Sequence, residues 1–277
     1  MTSRALRSVH RAYQDDIADL TTRRPLPGPS LPQIDPFLFL NHHGPQSYPP
    51  GNNGLPFGPH PHRGFETVTF MVEGSLAHQD SSGAQSVVAD GGVQWMTAGS
   101  GIVHSELSPD SFKRDGGPLE ILQLWVNLPA RLKFTDPDYI EVPAAKIPSL
   151  SLADGVELRP VSGFEDAPVS SLTGVALATV HMQPGSSASL PAPAGRNILF
   201  YTVQGSVRIG NDSVSEHCLA RFDDGDEIEV TAPDGALILF GHADPIGEPV
   251  VAHGPFVMNS QEEIRDAFEA YRRGEFA

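Results

Sequence analysis

Apolar residues in this chain come in short blocks separated by turn residues, and only one segment repeats them at helical spacing. In the first half, residues 35–40, 65–72, 86–88, 92–96 and 120–128 are rich in Val, Ile, Leu, Phe, Trp and Thr. Glu73-Gly74, Ser82-Gly83, Asp90-Gly91-Gly92 and Gly116-Gly117-Pro118 separate several of them. Blocks of this kind bounded by such punctuation predict strands. The second half repeats the pattern over 174–182, 197–203, 206–209, 227–231 and 236–240. Residues 1–30 read as a polar arm with one or two edge strands, and the Gly-, Pro- and Asn-rich stretch 44–61 as a long loop. Four prolines within 129–150 mark a crossover between the halves. Strands recurring every ~8–12 residues predict a sandwich or barrel in each half. The exception is 260–273, where Ser260 can cap a helix, Glu262 and Glu263 fall in its first turn, and Ile264, Phe268 and Tyr271 form a stripe.

Composition narrows the class without altering that picture. The 277 residues suffice for two domains, and 27 Gly with 26 Pro suit an all-β chain full of turns. With 34 acidic against 18 basic residues the formal net charge is −16, which argues against direct nucleic-acid binding and against an anionic membrane surface. Cys218 is the single cysteine and cannot form an internal disulfide. No window approaches the ~20 apolar residues of a membrane helix, and the N-terminus lacks a secretory core segment, so a cytoplasmic location is expected.

Six of the 11 histidines lie between positions 42 and 104. Residues two apart on a strand share a face, ~6.6–7 Å apart. The pair His60-x-His62 therefore aims two imidazoles at one point, and His104-x-Glu106 can add a third nitrogen and a carboxylate. Three neutral nitrogens and one anionic oxygen suit a divalent transition metal, with positions left for water, substrate or dioxygen. A lone histidine is more often a packing or surface residue; two same-face pairs favour ligation. Continuous alternation would put His60, His62, Gly64, Glu66, Val68 and Phe70 on one face, and Phe65, Thr67, Thr69 and Met71 on the other. Glu66 competes with Glu106 for the carboxylate position, and alternation cannot decide, because a bulge turns either one inward or away.

The remaining histidines have plainer readings. Adjacent His42 and His43 cannot both face one interior and are expected near the metal but not on it. His78-x-Asp80 is expected to be a hydrogen-bonded pair at the surface. Trp95 and Trp125 are read as core. His181, His217, His242 and His253 form no same-face pair, so no second metal site is expected.

The segments Asp35-Pro36-Phe37-Leu38, His60-Pro61-His62-Arg63-Gly64-Phe65-Glu66-Thr67-Val68-Thr69, Gly92 through Glu106 (GVQWMTAGSGIVHSE) and Gly254-Pro255-Phe256-Val257-Met258-Asn259 closely resemble those of the pirin family of the cupin superfamily. A degraded form of the general cupin motifs is also visible. Thr97 stands where many cupins have proline, and the gap from Gly99 to His104 is longer than usual. The resemblance covers essentially the whole chain and implies two tandem cupin barrels of the double-stranded β-helix, or jelly-roll, type, with a short C-terminal helix. The division implied is 1–135 for a metal-binding domain and 136–277 for a cupin without metal, ending in the helix.

In pirins the carboxylate ligand follows the third histidine at two residues, so the resemblance implies metal ligands His60, His62, His104 and Glu106, with Glu106 also the candidate catalytic base. The family's metal is usually iron, so Fe²⁺ is expected; Ni, Cu, Co, Mn and Zn also suit such donors. Some members cleave flavonols such as quercetin with dioxygen, which makes a flavonol-like molecule and O2 the expected substrates of an oxidoreductase. Others act as redox-sensing iron proteins through protein partners without turnover. Asn41-His42-His43-Gly44-Pro45 departs from the acidic or aromatic residues many pirins carry there, which implies a different substrate preference if it lines the pocket mouth.

Overall fold

The computed structural model describes residues 2–276. The β-branched and aromatic blocks fold as strands where the pattern places them. Phe65–Glu73, Val93–Thr97 and Gly117–Asn127 match the expected blocks in the first half, as do Ala176–Met182 and Glu227–Ala232 in the second.

Two differences trace to glycine. The first apolar block does not stop at a loop but continues as Phe37–Tyr48. Gly44 sits at φ +83°, where a Cβ would lie 2.2 Å from the Leu119 carbonyl oxygen. The register with Gly117–Asn127 shifts beside it, between Leu119 and Ile121. A bulge therefore carries the strand through a Gly-Pro pair that reads as a turn. Likewise 197–203 and 206–209 are one strand, Asn197–Ile209, with Gly205 at φ +74°. The expected loop 44–61 also ends in a strand, Phe57–His62.

The chain divides into two compact units that are not contiguous in sequence. One comprises residues 14–22, 37–144 and 246–277. Its larger sheet carries, in order, Asp138–Val142, Val93–Thr97, Phe65–Glu73, Gly117–Asn127 and Phe37–Tyr48, all antiparallel. Its smaller sheet is ordered Phe57–His62, Ile102–Leu107, Ser75–Asp80, Gln85–Ala89. The apolar part of the interior is built from Met71, Leu76, Val88, Leu119 and Ile121, each at most 2% exposed.

The other unit comprises residues 1–13, 23–36 and 145–245. Its strands enclose Val180, Leu190, Phe200, Ile228, Ile238 and Phe240, all fully buried. Both units are cupin-type jelly rolls, as the motifs imply. The compact units differ from a linear division at 135/136 in both directions. Leu6–Arg11 pairs antiparallel with Cys218–Phe222 of the C-terminal barrel, while the tail bridges Phe256 to Arg63 of the N-terminal one. An open sheet edge exposes unpaired N–H and C=O groups, and these terminal segments supply partners for them.

The predicted helix is Gln261–Arg272, with a capping box between Ser260 and Glu263 that contributes on the order of 1 kcal/mol. Its buried face runs through Ile264, Ala267 and Ala270, whereas Tyr271, expected in the stripe, is 39% exposed. Ile264 and Ala267 pack on Phe256 and Met258.

The bulge gives a direct test. Gly44→Ala adds a methyl against a backbone oxygen at a left-handed φ, and is expected to cost about 2–5 kcal/mol, read as a lower urea midpoint with unchanged slope.

Candidate metal centre

Antiparallel pairing of Phe57–His62 with Ile102–Leu107 sets His104 opposite His60 and Ile102 opposite His62. The three rings converge, with centroids 4.4 Å apart for His60 and His104, 4.8 Å for His60 and His62, and 4.9 Å for His62 and His104. Donor nitrogens of all three lie within 4.8 Å of one another, and no other cluster of histidine, cysteine or carboxylate ligands of this kind occurs among the described residues.

The outer hydrogen bonds decide which nitrogen each ring presents. His60 Nδ1 donates to the Gly58 carbonyl at 2.8 Å, and His62 Nδ1 to the Pro255 carbonyl at 3.3 Å. A carbonyl only accepts, so both Nε2 atoms keep bare lone pairs. His104 is 1% exposed, and neither of its ring nitrogens has a hydrogen-bond partner. Leaving such groups unmatched costs roughly 1–3 kcal/mol each. Desolvation, reinforced by the neighbouring imidazoles, drives the His62 pKa down to about 3 and that of His104 well below its usual value. Burial lowers the His60 pKa as well, so all three rings are held neutral at pH 7, as a metal requires. Three desolvated, neutral, converging nitrogens fit a divalent transition ion.

The strand alternation expected after His62 is broken by one position. Phe57–His62 ends, Arg63-Gly64 intervenes with Gly64 at φ +88°, and the next strand begins at Phe65. His62 consequently lies beside Phe65, at 5.0 Å. Thr67 and Thr69 turn inward in register with Met96 and Gln94 on one side and Trp125 and Gln123 on the other. Glu66 turns to the opposite face, where its Oε1 accepts from Trp95 Nε1 and Thr97 Oγ1 at 3.0 and 2.8 Å. The face expected to carry Glu66, Val68 and Phe70 with the histidines is therefore the other one.

Glu106 lies two residues past His104 on the same face and is 2% exposed, but its carboxylate is not one of the converging trio. Oε1 accepts from Gln94 and, at 3.3 Å, from Thr69; Oε2 accepts from Gln123 at 2.6 Å. Burial raises its pKa to about 7, against the pull of these three donors. A carboxylate has about four lone-pair directions, so one remains on Oε2. The Gln94 amide is itself oriented by Tyr139, whose hydroxyl donates to Oε1 at 3.2 Å. Sequence reading passed over Gln94 and Gln123. The signal was present, since each is an uncharged polar residue inside a largely apolar strand.

Other residues fall as follows. His78 and Asp80 do pair, at 2.9 Å, but not at the surface: both side chains are fully buried. His78 stacks on Tyr139 at 3.9 Å and stands 5.4 Å from His104. The surface expectation fails because Ser75–Asp80 is an interior-facing strand, pairing Asp80 with His104 and His78 with Glu106. His42 and His43 point to opposite faces, as adjacency demands. His42 bonds Glu120 and His43 bonds Thr22, each at 2.8 Å, and neither joins the trio. Trp95 is core at 2% exposed. Trp125 is only half-buried, stacked on Phe39 and 5.3 Å from His62. In the C-terminal barrel His181 is exposed, while His217 and His242 are buried and join no ligand cluster.

Paired jelly rolls with histidines converging inside one of them define a bicupin. The pirin family model matches residues 19–126, and the pirin C-terminal cupin model residues 177–277. A pirin-like protein of Caulobacter vibrioides is 38% identical over 276 residues, covering 98% of each chain. Human pirin is 37% identical over 277 residues, 96% of this chain and 91% of that one. The crystal structure of quercetin 2,3-dioxygenase from Acinetobacter baumannii superposes with TM-score 0.93 at 31% identity, covering 99% of each chain. The chain belongs to the pirin family. No helix among the described residues is long and apolar enough to cross a membrane.

The Glu106 environment predicts a pH signature. Its folded pKa lies above the unfolded value, so its contribution to the stability of metal-free protein is present at low pH and is lost as pH rises through about 7. Infrared difference spectra of metal-free protein should show a protonated carboxyl band that disappears on crossing pH 7. The band should be missing in Glu106→Ala; a band unaffected by that substitution would assign the proton elsewhere.

Proposed function

We propose that this protein is an iron-dependent dioxygenase of the quercetin 2,3-dioxygenase type, opening the heterocycle of a flavonol-like enol with O2. The observation that carries the reading is His104, deeply buried with no protein partner for either nitrogen, facing two imidazoles whose outer nitrogens are already committed. The 31% identical quercetin 2,3-dioxygenase, matched over 99% of the chain, supports the same reaction class.

His60, His62 and His104 would hold the ion, and Glu106 would be the fourth donor through the open lone pair on Oε2. Fe²⁺ is the proposed metal; Ni, Cu, Co, Mn and Zn suit the same donors. When bound, the ion supplies Lewis acidity toward an enolic oxygen and a redox route to O2.

The side chains do the rest. Glu106, when loosened from the ion, would have that Oε2 lone pair free to take the 3-hydroxyl proton. Gln94, Thr69 and Gln123 hold the carboxylate in place and stabilise its charge when the proton leaves. Phe39 and Trp125, stacked at 4.6 Å and half-exposed beside His62, offer a flat aromatic wall for a planar ring system. Asn41 lies in register with Gln123 on the same inner face. His43, in register with Ile121, shares that face, so Asn41 and His43 are the residues of the divergent 41–45 segment that would change substrate preference.

Oxygen electrode measurements on iron-loaded protein with quercetin test this directly. Uptake is expected, abolished in His62→Ala and lowered about 10²–10⁴-fold in kcat in Glu106→Gln. A conservative Ile228→Val change in the other barrel should leave it unaltered. Iron-loaded protein that consumes no oxygen with any flavonol tried would defeat the enzyme reading.

A further inference from the structure

The segment before the C-terminal helix meets the His62 turn through backbone groups. Pro255 C=O accepts both from His62 Nδ1, at 3.3 Å, and from the Arg63 amide, at 3.4 Å. The Val257 amide donates back to the Arg63 carbonyl at 3.1 Å. Gly64 lies so close that a Cβ there would be 2.0 Å from the Val257 oxygen. Lys133 closes the arrangement. Its fully buried ammonium donates to Gly64 O at 2.8 Å, Val257 O at 2.9 Å and Asn127 Oδ1 at 2.8 Å. All three ammonium hydrogens are used, so this is a fastening rather than a reactive amine. Beyond the helix, Phe276 lies 4.5 Å under the Arg63 guanidinium. It also covers Gly101, where a Cβ would come within 2.7 Å of its ring.

We propose that the C-terminal tail is a clasp for the metal centre, in which residues 255–257, pinned by Lys133 and latched by Phe276 on Arg63, position His62 as a ligand. Lys133, Pro255 and Phe276 are positioning residues on this account. The Pro255 carbonyl fixes the Nδ1–H tautomer and the ring orientation, so Nε2 is presented to the ion. This rests on the metal reading given above. It adds that metal affinity depends on a segment more than 190 residues away in sequence.

The test is anaerobic Co²⁺ titration against a competing chelator, with the ligand-field spectrum recorded alongside. Lys133→Met is expected to bind Co²⁺ about 10–100-fold more weakly and to shift the ligand-field bands. Phe276→Ala should weaken binding in the same direction, with recovery in Phe276→Tyr, which keeps a ring beneath Arg63. Ile228→Val, a core change in the other unit, controls for general destabilisation and should bind as the parent does. Parental affinity and spectrum in both Lys133→Met and Phe276→Ala would overturn the clasp. Should Lys133→Met not fold, Phe276→Ala decides alone by the same criterion. Parent protein that binds no Co²⁺, or His104→Ala that binds it equally well, would instead remove the metal reading on which the clasp rests.

Discussion

Polar side chains carried into the barrel interior have to find partners there, and the arrangement of the site follows from how each one does. An imidazole or carboxylate removed from water loses several favourable interactions and regains them only by hydrogen bonding, ligation or neutralisation. Glu66 is matched through one oxygen by Trp95 and Thr97, His42 by Glu120, and His78 by Asp80. Glu106 is matched by two amides and a hydroxyl and still has its pKa raised. His104 is matched by nothing in the chain. An imidazole with both nitrogens unmatched, facing two others whose outer nitrogens are committed, is the arrangement an ion-binding cavity requires.

The two sheets of the histidine-bearing barrel contribute different things. The smaller sheet brings the histidines, because antiparallel register places His60 against His104. The larger sheet brings the amide and hydroxyl groups that hold the carboxylate, and the aromatic pair Phe39 and Trp125. Deeper in, the same interior is apolar, from Met71 to Ile121. The converging imidazoles therefore sit at one end of a hydrophobic plug, which keeps them dry and their geometry stiff. The tail adds a third contributor through backbone groups rather than side-chain ligands.

Much of the site was legible in residue spacing. The period of two along a strand paired His60 with His62 and His104 with Glu106, and the family resemblance favoured Glu106 over Glu66. What spacing could not supply was continuity of the strand. One glycine at a left-handed φ, Gly64, ends the alternation and exchanges the two faces of everything that follows. Another, Gly44, does the reverse, letting a strand pass through residues that read as a turn. Glycine marks a place where the chain is free to deviate without saying in which direction it will. His78 and Asp80 show a related limit: the pair itself was visible, but its burial depended on which strand covered it.

The sequence by itself determined that the chain is all-β with a sandwich or barrel in each half, that a capped helix begins after Ser260, and that the paired histidines fall in the first half. These follow from local properties: side-chain shape, turn residues, capping groups and the two-residue period. Only the tertiary structure decided that Glu66 faces away from the histidines, that Gln94 and Gln123 hold Glu106, and that Lys133 and Pro255 fasten the His62 turn. Those contacts join residues up to 193 positions apart, and their pairing is set by strand register and bulges. Register is a property of two segments packed together, so neither segment alone encodes it.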